Sequence, residues 1–164
     1  MARSKIKHFK GFSVVDGDIR VTLNMSRFER QFQRAQYQLD GAVMNSMVPF
    51  MPMVTGSFIN ATRAASAAVQ GSGEVYAAYG PQGRFLYEGK TMVDEKTGST
   101  WARRGAKKVL VSEFGGKTNA KPDLTYTRQA HPKAQAHWFD AAKKKDGKKW
   151  VRGVKETAGG GWRG

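Results

Sequence analysis

From residue 25 to residue 42 the apolar side chains step by three and four: Met25, Phe28, Phe32, Ala35, Leu39 and Ala42. That period puts them on one face of an amphipathic helix, with Arg27, Glu29, Arg30, Gln33, Arg34, Gln36 and Gln38 on the others. Ser26 and Glu29 have the spacing of a capping box, in which hydroxyl and carboxylate each take the other residue's N–H. The pattern continues through Val43 and Met47, and Pro49 and Pro52 stop it, because proline has no N–H to give and its ring clashes with the preceding turn. A helix of about twenty residues follows, about 30 Å long. Its stripe also fits a coiled-coil seam, but one helix packed on its own sheet is the commoner outcome at this length.

Residues 49–58 then read as a helix-to-sheet junction, with Thr55, Gly56 and Ser57 supplying turn chemistry. The alanine-rich stretch at 58–69 has helix propensity, yet Phe58 and Ile59 after such a turn can equally start a strand, and the strand is preferred here. Residues 74–79 read as a strand broken by the Gly80-Pro81-Gln82-Gly83 turn, with a short apolar segment at 84–88. Before the long helix, residues 12–23 read as a hairpin turning at Asp16-Gly17, its second strand half buried through Ile19, Val21 and Leu23. Residues 90–130 have the weakest periodicity, with a turn at 94–98, a strand at 107–111, a loop at 115–122 and a segment at 124–126 that pairs back. A second helix is expected from Pro132, with Ala134, Trp138, Ala141 and Ala142 on one face, Lys143, Lys144 and Lys145 in its last turn, and Asp146-Gly147 ending it. Trp150, Val151 and Val154 suggest one more short helical stretch. The expected fold is α+β: a long N-terminal helix and a C-terminal helix packed on a small curved antiparallel sheet. A basic arm at 1–10, a single domain at 11–155 with an inserted loop or hairpin at about 90–130, and a flexible glycine-rich tail at 156–164 complete the organisation.

The net charge is +15, and its placement matters more than its size. Residues 11–98 are neutral, while residues 1–10 carry +4, residues 99–127 another +4 and residues 128–164 the remaining +7. A balanced core with basic extensions seeks polyanions or acidic protein surfaces.

The residues point away from catalysis. Cysteine is absent, which excludes thiol chemistry, cysteine-held zinc and disulfides, and suits a reducing cytoplasm. His131 and His137 are six apart and cannot share a helix face as a metal-binding pair does, and His8 stands on the basic arm. A stacked or capping role suits His137 better. The glycine turns at 71–73 and 80–83 lack the lysine and hydroxyl of a phosphate-cradling loop. Asp94 and Glu95 sit beside Lys96 in what reads as a solvated turn. No cofactor or metal is expected. No run approaches the roughly 20 apolar residues of a membrane span, and no apolar segment follows the first basic residues as in a secretory signal. Trp101, Arg103, Arg104, Lys107 and Lys108, and the lysines leading to Trp150, could stack bases and hold phosphates, or dock to acidic protein. No known nucleic-acid-binding motif accompanies them. Tyr76, Tyr79, Phe85 and Tyr87 read as core or interface.

Three blocks in fixed order carry a resemblance. The first is Val48-Pro49 with Thr55, Gly56 and Ser57. The second runs through Gly83, Arg84, Phe85, Leu86, Tyr87, Glu88, Gly89 and Lys90 to Asp94. The third is His131, Pro132, Lys133 and Ala134 with His137, Trp138, Phe139, Asp140, Ala141, Ala142 and Lys143. Over about residues 24–155 the chain resembles the minor capsid or tail-completion (neck) proteins of long-tailed phages, which help connect the filled head to the tail. It departs from that pattern at residues 80–83, where the family often has Pro-Tyr-Ala, and the 95–128 segment is variable in such proteins. The resemblance implies a small α+β domain assembled as a ring in the virion neck, a hexamer with a dodecamer as the alternative, made in the bacterial host cytoplasm. It implies contact with neighbouring neck, tail-terminator or tail proteins, with DNA passing nearby and no sequence-specific binding. It brings no catalytic residues. Candidate contacts are Phe50, Met51 and Met53 at the junction, with plain core packing as their alternative, Trp101, Arg103, Arg104, Lys107 and Lys108 in the insertion, and Lys143, Lys144, Lys145 and Trp150 near the end. Most of the basic C-terminal segment is expected to face protein, since a tightly binding lumen would hinder DNA ejection. The alternative is a free, non-enzymatic, basic nucleic-acid-binding protein serving packaging or regulation.

Overall fold

A computed structural model describes residues 12–16 and 19–159. The expected arm at 1–10, the Gly17 half of the first turn and the last five residues lie outside them. The elements run β1 (Phe12–Asp16), β2 (Ile19–Leu23), α1 (Ser26–Met47), α2 (Ser57–Ala68), α3 (Gly83–Glu88), β3 (Met92–Asp94), β4 (Lys108–Leu110) and α4 (Trp138–Ala158). The α+β class and the long first and last helices hold. The strands make two separate two-stranded antiparallel sheets, β1 with β2 and β3 with β4, instead of one curved sheet. The chain divides into two compact units: Met1–Ser46, Arg63–Tyr76 and Ala142–Gly164 in the first, Met47–Thr62 and Ala77–Ala141 in the second.

In the first unit β1 and β2 pair as expected, Asp16 opposite Ile19 and Phe12 opposite Leu23. Ile19 and Val21 are 68% and 55% exposed, so the second strand is not half buried there. Helix α1 starts where expected, with the Asn24 Oδ1 accepting the Ser26 N–H at 2.9 Å, so the first turn is capped from two residues upstream. Its buried side chains in this unit are Ala35, Asp40, Val43 and Met44. Phe28 is 49% exposed, and the expected stripe from Ala35 to Ala42 lines an open groove shared with Trp150 and Val154 of α4. Trp150 Nε1 donates to Ser46 Oγ at 3.1 Å, and Thr157 Oγ1 to Gln38 Oε1 at 2.6 Å. The C-terminal helix does not stop at Gly147. It passes through Gly147 and Gly153 to Ala158, three residues into the expected tail, because Ala142, Asp146 and Ala158 are buried along it and offset two glycines costing about 1 kcal/mol each. Lys143, Lys144 and Lys145 therefore stand near the start of α4, not in its last turn.

In the second unit the junction turns into another helix and not into a strand. Gly56 (φ 79) lets the chain reverse, and Ser57 begins α2 with its N–H on the Thr55 hydroxyl at 3.4 Å. Alanine propensity wins because Ile59 and Thr62 bury one face, continued by Ser66 in the first unit. Segment 84–88 is the helix α3, closed by Gly89 (φ 71), whose N–H returns to the Phe85 carbonyl. Strand β4 forms within the expected 107–111, and Lys90 and Asp123 bridge, so the returning segment is 122–124, paired with 89–91, two residues before the expected 124–126.

Residues 74–79 are not a strand. In the first unit the Ser66 hydroxyl both accepts the Tyr76 N–H (3.1 Å) and donates to its carbonyl (3.3 Å). In the second the Thr62 Oγ1 accepts the Tyr79 N–H at 3.2 Å while donating to the Phe58 carbonyl. Side-chain hydroxyls take the place of a ladder. Among the described residues no helix is long and apolar enough to cross a membrane.

Candidate functional site

The three sequence blocks meet in the second unit. The expected helix start at Pro132 is absent: residues 131–137 run irregularly because their polar groups are drawn to the other two blocks. His131 Nδ1 lies 2.8 Å from the Met51 carbonyl, Gln135 N–H donates to the Phe50 carbonyl (3.1 Å), and His137 N–H donates to the Tyr87 carbonyl (2.9 Å). These tertiary bonds outweigh the local preference for a helix after proline. His137 adopts φ 49, an uncommon conformation for a residue with a side chain, and its carbonyl accepts the Asp140 N–H to open α4. Its ring meets Tyr87 edge-on at 5.1 Å, the stacked and capping role expected of it.

Trp138 is the centre. It is fully buried, its Nε1 donates to the Ala77 carbonyl at 2.7 Å, and its ring makes T-shaped contacts with Tyr87 (4.9 Å) and Phe58 (5.9 Å). A side chain at Gly89 would strike Ala136 and the Tyr126 hydroxyl, at 3.0 and 3.1 Å. Tyr126 donates to the Leu86 carbonyl, and burial raises its pKa. Burial and the negative charges of Asp140 and Glu88 raise that of Tyr87. Lys90 pairs with Asp123 at 2.7 Å. Phe50 and Met51 are 8% and 0% exposed, so these two candidate contacts are core residues, drawn in by the carbonyls that bind His131 and Gln135. Met53 is half buried and Val54, beside it, is 83% exposed. Pro49, Thr55 and Ser57 are exposed, and Phe85 and Phe139 are half buried.

The second cluster is the connection between β3 and β4. Asp94 Oδ1 accepts the N–H groups of Lys96 (2.9 Å) and Thr97 (2.8 Å) and the Thr97 hydroxyl (3.1 Å). These bonds hold the Asp94 carboxyl below its ordinary range. The turn is therefore a built one, and Asp94 is buried in it where a solvated loop was expected. The sign of its pH effect follows: the lowered pKa contributes stability that is present above the ordinary carboxylate range near pH 4 and lost as pH falls through the folded value. An Asp94→Asn variant is expected to flatten the acid limb of the stability–pH curve, read by urea denaturation from pH 7 downwards; an unchanged acid limb would rule out this contribution. Glu95 pairs with Lys107 at 2.8 Å, which raises the Lys107 pKa, and Lys108 Nζ donates to the Thr100 carbonyl. Trp101 is 73% exposed, and Arg103 and Arg104 are exposed at a turn closed by Ala106 N–H on the Arg103 carbonyl.

The third is α4 in the first unit. Lys143, Lys144, Lys145, Lys148, Lys149, Arg152 and Lys155 are all exposed on it, while Trp150 is half buried in the groove. Asp146 is buried; desolvation alone would raise its pKa, but Lys149 at 3.3 Å, Ser46 and Lys145 outweigh it and the net shift is downward. Sequence reasoning missed Asp40. Its carboxylate, 4% exposed, takes the N–H groups of Gly71 (2.7 Å) and Gly73 (3.2 Å) and the Gln36 amide (2.8 Å). The signal available was a glycine pair whose N–H groups needed an acceptor.

Among the described residues no three of His, Cys, Asp and Glu come close enough to hold a metal ion. Asp94 and Asp40 hold backbone N–H groups and Tyr126 a backbone carbonyl, while Glu95, Asp123 and Asp146 pair with lysines. Compared with protein-family models, curated proteins and solved structures, the chain gave no match.

Proposed function

We propose that this chain is a non-enzymatic structural subunit of the neck of a long-tailed phage, a ring protein that joins or completes the head–tail connection. The observation that carries the reading is that the third block is tied to the other two within one unit: His131 and Gln135 meet the carbonyls of Met51 and Phe50, inside the span of the first, and His137 and Trp138 meet Tyr87 of the second. Tyr87, His137 and Trp138, which carry the resemblance in the second and third blocks, thus pack together, while Pro49, Thr55 and Ser57 of the first are exposed. The remaining surface suits assembly. The exposed cationic face of α4 would meet neighbouring neck, tail-terminator or tail proteins, in a hexameric ring with a dodecamer as the alternative.

The rival is a free basic nucleic-acid-binding protein, favoured by the seven exposed cations of α4 named above. Quantitative mass spectrometry of purified particles separates the two. The neck reading expects a fixed copy number per particle, a multiple of six. Absence from particles, together with monomer binding to duplex DNA whose log affinity falls steeply with log salt, would replace it with the rival.

A further inference from the structure

The β3–β4 connection contains an open cleft of about 830 Å³ lined by Lys96, Thr97, Trp101, Arg103, Ala106 and Lys107, with Asp94 and Glu95 at its base. Both carboxylates are already committed, Asp94 to the turn that follows it and Glu95 to Lys107. Lys96, Arg103 and Arg104 form no ion pair among the described residues. The indole of Trp101 stands exposed among them, and the loop that presents it is held from within: Trp101 N–H on Ser99 Oγ (3.1 Å), Glu95 N–H on the Lys107 carbonyl (3.1 Å), Lys108 on Thr100 (2.8 Å). Gly98 (φ 66) sits under the Phe114 ring, where a Cβ would come within 2.5 Å, so the turn is packed and not loose.

We propose that this cleft binds single-stranded nucleic acid without regard to sequence, a base stacking on Trp101 while Lys96 and Arg103 of the cleft, and the exposed Arg104 next in the chain, meet the phosphates. An aromatic face within a cationic groove is the arrangement that binds single strands, since every base has a π-face and every linkage a charge. Protein partners fit less well: the centre of a protein interface needs contiguous apolar area, and here one indole stands among lysines, arginines and hydroxyls. Duplex DNA fits less well too, because its bases are already stacked and out of reach of the indole. The proposal is independent of the neck reading, and its test does not depend on incorporation into particles.

The experiment uses the full chain and an oligothymidylate of twelve nucleotides at low salt, followed by tryptophan emission and by fluorescence anisotropy of a labelled strand. Stacking is expected to quench emission in the wild type and not in Trp101→Phe, and Trp101→Ala is expected to weaken binding by about tenfold. The double variant Arg103→Gln, Arg104→Gln is expected to reduce the salt slope by about 0.7 for each phosphate that it no longer neutralises. These side chains are exposed, so the melting temperature is expected to stay unchanged and reports intact folding. Equal affinity in Trp101→Ala, no binding of the oligothymidylate, or tighter binding of a twelve-base-pair duplex or a hexaglutamate peptide would each overturn the proposal.

Discussion

Replacing Trp138 with alanine is expected to cost about 3–5 kcal/mol of stability, the range for removing a buried aromatic side chain. Trp138 has no exposed surface, and two aromatic rings contact it edge-on. Truncation also leaves the Ala77 carbonyl without the indole donor that now lies 2.7 Å away. For a chain of this length the melting temperature falls by about 2–4 °C per kcal/mol, so the loss is readable by thermal scan as well as by urea. Trp138→Phe separates the two contributions. It keeps a ring for Tyr87 and Phe58 and loses the hydrogen bond, at an expected cost of about 1–3 kcal/mol. A change in Trp138→Ala within about 0.5 kcal/mol, as at exposed positions, would mean that the residue serves an interface instead of the core.

The second large effect is expected at Asp40. Alanine there strands two backbone N–H groups, those of Gly71 and Gly73, and the Gln36 amide. The Gly71 donor is buried and costs about 1–3 kcal/mol when left unsatisfied, at the upper end because its acceptor is ionised. The part-buried Gly73 and Gln36 donors can turn to water and add less, so Asp40→Ala is expected to lose about 2–4 kcal/mol. Asp40→Asn keeps the shape but offers one oxygen to donors that now meet two, and is expected to fall between the wild type and alanine. Hydrogen exchange localises the effect: the Gly71 N–H should lose protection in Asp40→Ala before the N–H groups inside α1 do. Unchanged stability and protection would show that the glycine turn is held by other means.

What the sequence made legible was local. The three-and-four spacing found α1, the Asp-Gly turn found the first hairpin, and the order of blocks picked out Tyr87, His137 and Trp138, which do come together. What failed was decided by partners far along the chain. Nothing near Pro132 announces that Gln135 and His137 give their N–H groups to Phe50 and Tyr87 rather than to a helical turn. The hydroxyls of Thr62 and Ser66 look like ordinary helix or strand residues until the backbone of 76–79 comes to them. Alanine propensity at 58–69 was the better guide there, and the Thr-Gly-Ser turn that argued for a strand is a helix start. Gly147 looked like a stop, and burial on both sides of it carried the helix through. Phe50 and Met51 read as contacts only through the resemblance, with core packing the alternative, and core packing holds because residues 131–135 bond to their carbonyls. The cluster at 94–108 was legible in composition and not in form, since the internal use of Asp94 and Glu95, which leaves the cations uncompensated, depends on the fold of the turn.

The proposed neck assignment is tested most directly by electron cryomicroscopy of intact phage particles assembled in cells that express this chain. The expected result is a ring of this subunit between head and tail, with residues 143–155 of α4 turned towards neighbouring protein. Density for the ring that places residues 143–155 along the DNA channel would contradict the expected orientation, and particles with complete necks that lack the chain would contradict the assignment itself.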